Sequence, residues 1–225
     1  MVITARGLVR QALFVMALSG AAHAQQCPPA GAAPLPSPLP LSLSSELPPP
    51  TYRNSMTRTQ LAGLSPRSGG GAHHAGLTQS KTAFSVKPTL RFFRLADGRL
   101  CAQLAQMEAS WKVAELMVDI AAEYRPGTCP YREVWEHENQ HVAITRRHFA
   151  EAERALRARL AELAAGLRPR IVSGTADQAA REASSYFLKG AEPVLARYKA
   201  ATERDNAAID THENYRRVSA RCADW

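Results

Sequence analysis

The sequence predicts an α+β fold, in which a small antiparallel β-sheet is followed by long packed helices, one of them carrying an H-E-x-x-H motif. Three observations predict it. A strand–turn–strand pattern centres on Asp97-Gly98, an apolar seven-residue repeat runs without Gly or Pro from Tyr131 to Ala165, and a second helical stretch follows Thr175. The 225 residues, 45% hydrophobic, allow one ordinary core and a small appendage. No apolar run beyond the N-terminus approaches the roughly 20 residues a membrane span needs.

Residues 1–24 read as a secretory signal peptide. Arg6 and Arg10 form the positive region, Ala12–Leu18 the apolar segment and Ala22-His23-Ala24 the cleavage site. An exported protein is expected, periplasmic or secreted, with no stable membrane insertion once the signal is removed. In an oxidising compartment Cys27, Cys101, Cys129 and Cys222 make two disulfides, with three connectivities open. No pair has C-x-x-C spacing, which argues against a thiol redox site.

The formal charge of +8 falls to +6 without the two arginines of the signal. The excess is spread along helices as Arg, with no aromatic-rich basic patch, so no nucleic-acid partner is expected.

Residues 25–82 read as a disordered Pro/Ala/Ser/Gly-rich arm. Proline interrupts helix and sheet ladders, and nine of the 15 prolines lie between Pro28 and Pro50. His73-His74, within the arm, is a weak metal-binding candidate. Order is expected from residue 83 to residue 225. Leu90–Leu95 and Leu100–Leu104 flank the Asp97-Gly98 turn as a hairpin. Residues 112–124 suit helix or strand, with Met117–Ala121 favouring strand before the Pro126-Gly127 turn. Thr128 is an N-cap and Pro130 suits a first helical turn. Val142, Phe149, Leu156 and Leu163 then mark one buried stripe until Gly166 and Pro169 end the helix. The second helical region runs to about Arg221, with a break or kink expected at Pro193.

His137-Glu138-Asn139-Gln140-His141 lies within the long helix. Residues four apart share a helix face, so two imidazoles can converge on one metal ion. Glu138, about 100° round the helix, can reach a water polarised by that metal and take its proton. The segment Trp135–His141 resembles the active-site helix of the zincin metallopeptidases. The wider layout, over roughly residues 85–222, resembles a family of small secreted bacterial zinc-dependent proteases. The resemblance implies a zincin-like domain binding Zn2+ through His137 and His141, with Glu138 as general base.

The third ligand departs from the metzincin pattern, because Ile144 stands where Gly is required and Arg147 where the third His would be. His148 lies about 10 Å along the axis from His141, too far to share its ion. Asp205, Asp210, His212 and Glu213 remain, on the returning helix. Asp210 follows Ala207-Ala208-Ile209, where an unpaired carboxylate is costly, and is the preferred ligand, with Glu213 second. Tyr215 is the candidate oxyanion stabiliser. If Asp210 lies level with residue 139 in an antiparallel helix pair, Cys222 lies level with residue 127. The expected disulfides are then Cys129–Cys222 and Cys27–Cys101.

The expected function is zinc-dependent hydrolysis of a peptide or protein substrate in the cell envelope, the substrate adding along an exposed strand edge near residues 117–123. The alternatives are a non-catalytic envelope scaffold and a metal-binding protein without turnover.

Overall fold

The computed structural model describes residues 26–64 and 75–225, so the segment read as a signal peptide and the His73-His74 pair lie outside the described residues. The elements run β1 (Leu41–Glu46), β2 (Thr51–Arg53), α1 (Arg58–Leu64), β3 (Gly76–Arg94), β4 (Leu100–Ile120), α2 (Cys129–Gly166), β5 (Arg170–Val172), α3 (Ala176–Ile209) and α4 (His212–Ser219). Helix and sheet are mixed, as expected.

The sheet is built on β4. Strand β3 pairs antiparallel along its whole length through the Asp97-Gly98 turn, where Gly98 adopts a φ of 84°. The opposite edge of β4 is shared by β5, β1 and β2 in turn. Because β1 and β2 run parallel to β4, the sheet is mixed, which corrects the expectation of an antiparallel one. Two register shifts against β3 leave Ala105 and Ala114 of β4 without a direct partner. Each extra residue reverses the in–out alternation. The buried row therefore steps from Leu104 to Met107, and from Val113 to Leu116, while staying on the helix-facing side.

The proline-rich segment is part of this sheet and not a disordered arm. Leu39, Leu41 and Leu43 alternate with residues facing away from the core, and Leu43 is buried opposite Ala109. The prolines stand outside the strand, and the Pro40 carbonyl accepts from the Met107 N–H, so the missing proline N–H costs no ladder bond. A disulfide joins Cys27 to Cys101. Arg53 of β2 makes a two-pronged ion pair, at 2.7 and 2.6 Å, with Asp119, which is only 1% exposed. The ordered domain thus includes residues 26–64, well before residue 83.

Thr128 caps α2 by accepting from the Tyr131 N–H, after a turn in which Gly127 adopts a φ of 87°. At 38 residues the helix is about 57 Å long. Its Val142, Phe149, Leu156 and Leu163 stripe is buried. Helix α3 returns antiparallel, and contacts march in opposite directions along the pair. Tyr186 donates to the Leu163 carbonyl, Arg159 to the Gly190 carbonyl, and Asp205 lies on His148. Trp111 of β4 sits at the centre of the core, stacked on Phe149 of α2 and edge-on to Tyr198 of α3.

Of the break or kink expected at Pro193, the break does not occur, and helix α3 continues through it. Ala191 and Val194 are buried on either side of it, and that packing outweighs one missing helical hydrogen bond. The chain breaks later, at Asp210-Thr211. Thr211 there caps α4 by accepting from the Asn214 N–H. Among the described residues no helix is long and apolar enough to cross a membrane.

Candidate metal centre

The capped start of α2 places His137 and His141 one turn apart on its buried face, both under 10% exposed. Asp210, the residue that ends α3, faces them. Its Oδ1 is 3.2 Å from His137 Nε2 and 3.0 Å from His141 Nε2, and the two imidazole nitrogens are 3.3 Å apart. A tetrahedral zinc with donors at about 2.0–2.1 Å holds those donors about 3.3 Å from one another. The three side chains therefore form a set into which a zinc ion fits with little adjustment. The helix break matters here, because the C-terminus of α3 lets the short Asp210 side chain turn back towards α2.

The second set of close metal-ligating types, Cys129, Glu133 and Cys222, is different in kind. Its cysteines are joined as a disulfide, the pairing expected from the antiparallel register. Glu133 pairs with Arg221 at 2.9 Å.

Protonation in the histidine–aspartate set follows from its surroundings. Burial alone would raise the Asp210 pKa, but hydrogen bonds with His137, His141 and Tyr215 outweigh it and hold the carboxyl far below its ordinary range. Burial disfavours a charged His141, yet its bonds to Asp210 and Asn206 and the nearby Glu138 charge raise its pKa above the ordinary value. Asn206, one turn before Asp210, has Oδ1 2.9 Å from His141 Nδ1. An amide oxygen only accepts, so Nδ1 donates to Asn206, and Nε2, which donates to Asp210 in the doubly protonated ring, is the nitrogen a metal would take in exchange for that proton.

Glu138 is 4% exposed and accepts from the Thr78 hydroxyl at 2.7 Å. Burial raises its pKa, partly offset by the two histidines and the Thr78 hydrogen bond. It lies at a cavity of about 40 Å³ whose lining includes Gly76, Val134, His137, Tyr215 and Trp225. Tyr215 donates to Asp210 Oδ1 at 3.0 Å, and its ring centre lies 5.4 Å from that of His137.

The other candidates fall elsewhere. His148 and Asp205 bond to each other at 2.8 Å, and His148 also to Glu151. Glu213 is occupied by Arg216 and Arg217, and His212 is exposed at the start of α4. Thr78, Gly76 and Asn206 were not anticipated. The first two lie in the segment read as an arm, whereas Asn206 carried a signal, a carboxamide four residues before Asp210.

The expected exposed edge at residues 117–123 is absent. Met117–Asp119 pair with β2 on one side and β3 on the other, and Ala121 and Ala122 donate to the carbonyls of Ala75 and Met56. Among the described residues, the edge with no strand partner beside the histidines is the outer edge of β3.

Comparison with protein-family models, curated proteins and solved structures gives no match, so the site is read from its own geometry.

Proposed function

We propose that this protein is an exported zinc-dependent hydrolase of the zincin type acting on peptides. The observation that carries the reading is the convergence of His137, His141 and Asp210 donor atoms at 3.0–3.3 Å beside a buried carboxylate. Two imidazole nitrogens and a carboxylate oxygen this close share a proton or a cation, and the spacing suits zinc. A bound zinc ion would supply Lewis acidity, polarising a carbonyl and lowering the pKa of a water towards 7.

The chain's own residues supply the rest. Glu138, ionised and oriented by Thr78, takes the proton from the attacking water and passes it to the leaving amine. Its raised pKa, the work of burial, brings it nearer to the pKa of the group it must deprotonate. Tyr215 holds Asp210 through its hydroxyl and is placed to donate to negative charge developing on the substrate carbonyl oxygen. The outer edge of β3, which runs past Glu138 at Thr78, offers main-chain donors and acceptors to an extended peptide. Two disulfides suit the oxidising compartment that an exported protein meets.

Metal content of the purified mature protein, with and without Asp210→Ala, tests the centre. One zinc per chain is expected, lost or much weakened in the variant. A Glu138→Gln variant should keep its zinc and lose roughly 10²-fold or more of its peptide hydrolysis. Stoichiometric zinc without hydrolysis of any member of a mixed peptide library would leave a metal-binding protein without turnover.

A further inference from the structure

Main-chain hydrogen bonding along β3 can be assigned residue by residue. Just before the strand the Ala121 N–H donates to the Ala75 carbonyl at 2.8 Å, and just after it the Leu95 N–H donates to the Arg99 carbonyl at 2.9 Å. In an antiparallel pair each residue turns its N–H and C=O the same way, and successive residues alternate. Both extra residues of the ladder, Ala105 and Ala114, belong to β4, so the alternation of β3 runs unbroken between these ends. Odd-numbered residues from 75 to 95 therefore bond towards β4, and even-numbered ones turn their N–H and C=O outward. Pro88 agrees, because its position is even and its missing N–H costs the β3–β4 ladder nothing.

Thr78, whose side chain holds Glu138, is thus an outward residue, and Ser80, Thr82, Phe84 and Val86 follow it at two-residue intervals. Gln79–Ala83 are exposed, and β3 pairs with β4 alone among the described residues. A cleft of about 600 Å³ opens beside this run, between β3 and α3. The Ser80 side chain already meets Tyr198 of α3, whereas its N–H and C=O face away from β4 with no strand beside them. Across the cleft Lys199 and Glu203 lie 3.9 Å apart and opposite in sign, so neither charge is favoured in what lies between. At Pro88 the run of outward donors stops, ten residues beyond Thr78 and about 33 Å away at strand rise.

We propose that the substrate is an unfolded, extended polypeptide read through its main chain, by a ladder on β3 that starts beside Glu138 at Thr78 and ends at Pro88. The ladder takes about eight substrate residues on one flank of the reacting bond, opposite residues 79–86. It tolerates most side chains on that flank but not proline at alternate positions. The proposal rests on the peptidase reading for where the reacting carbonyl sits, and adds the class of substrate.

The test uses the zinc-loaded full mature chain carrying Glu138→Gln, so that nothing is cleaved. The probes are labelled Ala/Ser/Thr peptides bearing a terminal hydroxamate, a zinc-chelating group that fixes the register, in one series extended from each side of it. Fluorescence anisotropy should show affinity rising with length in one series, in steps of two residues, and levelling off near about eight. N-methylation of single amides should weaken binding about two- to tenfold, the scale of one lost hydrogen bond, at every second position and little between them. Ser80→Pro, which removes an outward donor and no ladder bond, should weaken the long peptides by a similar factor, whereas Ser80→Ala should not. The N-methyl scan leaves β3 unaltered, so it decides even where Ser80→Pro fails to fold. Affinity independent of length, or an N-methyl scan without the alternation, overturns the ladder. Either result in a chain that hydrolyses peptides removes the ladder and leaves the hydrolase. In a chain that binds no zinc, binding of the plain peptide that Ser80→Pro weakens and Ser80→Ala does not would do the reverse.

Discussion

A β-carbon built on Gly76 would lie 2.6 Å from Oε1 of Glu138 and 2.8 Å from Cγ1 of Val134. The start of β3 thus presses its backbone onto the carboxylate read as the general base, and only glycine permits that approach. Gly76→Ala should displace Glu138 in a packed site with little room to yield, costing about 1–3 kcal/mol of stability. Zinc content should persist while hydrolysis falls at least tenfold. A variant with full activity and an unchanged melting temperature would show that the side chain adjusts freely.

The parts of the fold legible in the sequence were those with local causes. Thr128 and Pro130 announced the start of α2, Gly166 and Pro169 its end, and Asp97-Gly98 the hairpin. The H-E-x-x-H spacing identified the buried face that carries the histidines. Residues 112–124 were ambiguous for a physical reason. The extra residue at Ala114 puts Val113, Leu116, Met117 and Ile120 at helical spacing within a strand. The alternating Leu39, Leu41 and Leu43 were masked by the prolines around them, and the partner strand that gives them a ladder lies more than 60 residues away. The break at Asp210 was missed because Pro193 offered a stronger local signal, one that tertiary packing overrides.

Asn206 should govern metal affinity without touching the metal. Its carboxamide holds the His141 tautomer, so Asn206→Leu should weaken zinc binding by about 10- to 100-fold, whereas Asn206→Asp should retain most of it. Competition against a chromogenic chelator measures this directly. Equal affinities for wild type and Asn206→Leu would mean that the hydrogen bond does not orient the ring.

The proline-rich segment should behave as core. Leu43→Ala removes a buried side chain opposite Ala109 and should cost about 2–4 kcal/mol in denaturant unfolding. In a Cys27→Ser background the same substitution should cost a similar amount, because the loss is one of packing and not of the cross-link. A cost below 0.5 kcal/mol would return the segment to the status of a tether.

Acid should reveal the ion cluster above the candidate metal centre. His148 holds the Asp205 carboxyl below its ordinary value of 3.8, with Arg204 adding to the shift against a smaller desolvation effect. A depressed folded pKa gives stability that is complete above the ordinary value and lost as pH falls through the depressed one. The stability gap between wild type and Asp205→Asn should therefore be present at neutral pH and close below pH 3.8. A gap that widens on acidification would reverse the assignment.

The Cys129–Cys222 disulfide should matter to the candidate metal centre as well as to the fold. No residue of α4 is buried, yet α4 carries Tyr215, which bonds Asp210, and Asn214, whose Nδ2 lies 3.4 Å from His137 Nδ1. Beyond α4 the chain is tied to α2 by that disulfide and by the exposed side of the Arg221–Glu133 pair, a contact that solvent weakens. The cross-link spans 93 residues and should contribute about 2–4 kcal/mol by restricting the unfolded chain. Cys27–Cys101, spanning 74 residues, should contribute a similar amount by the same route. Replacing either pair with serines should lower the melting temperature comparably, but only loss of Cys129–Cys222 should also weaken zinc binding, because it frees the helix that steadies Asp210. Zinc titrations of the two double variants separate these effects. If both bind zinc as tightly as wild type, α4 is held by its own contacts and the disulfide acts on stability alone.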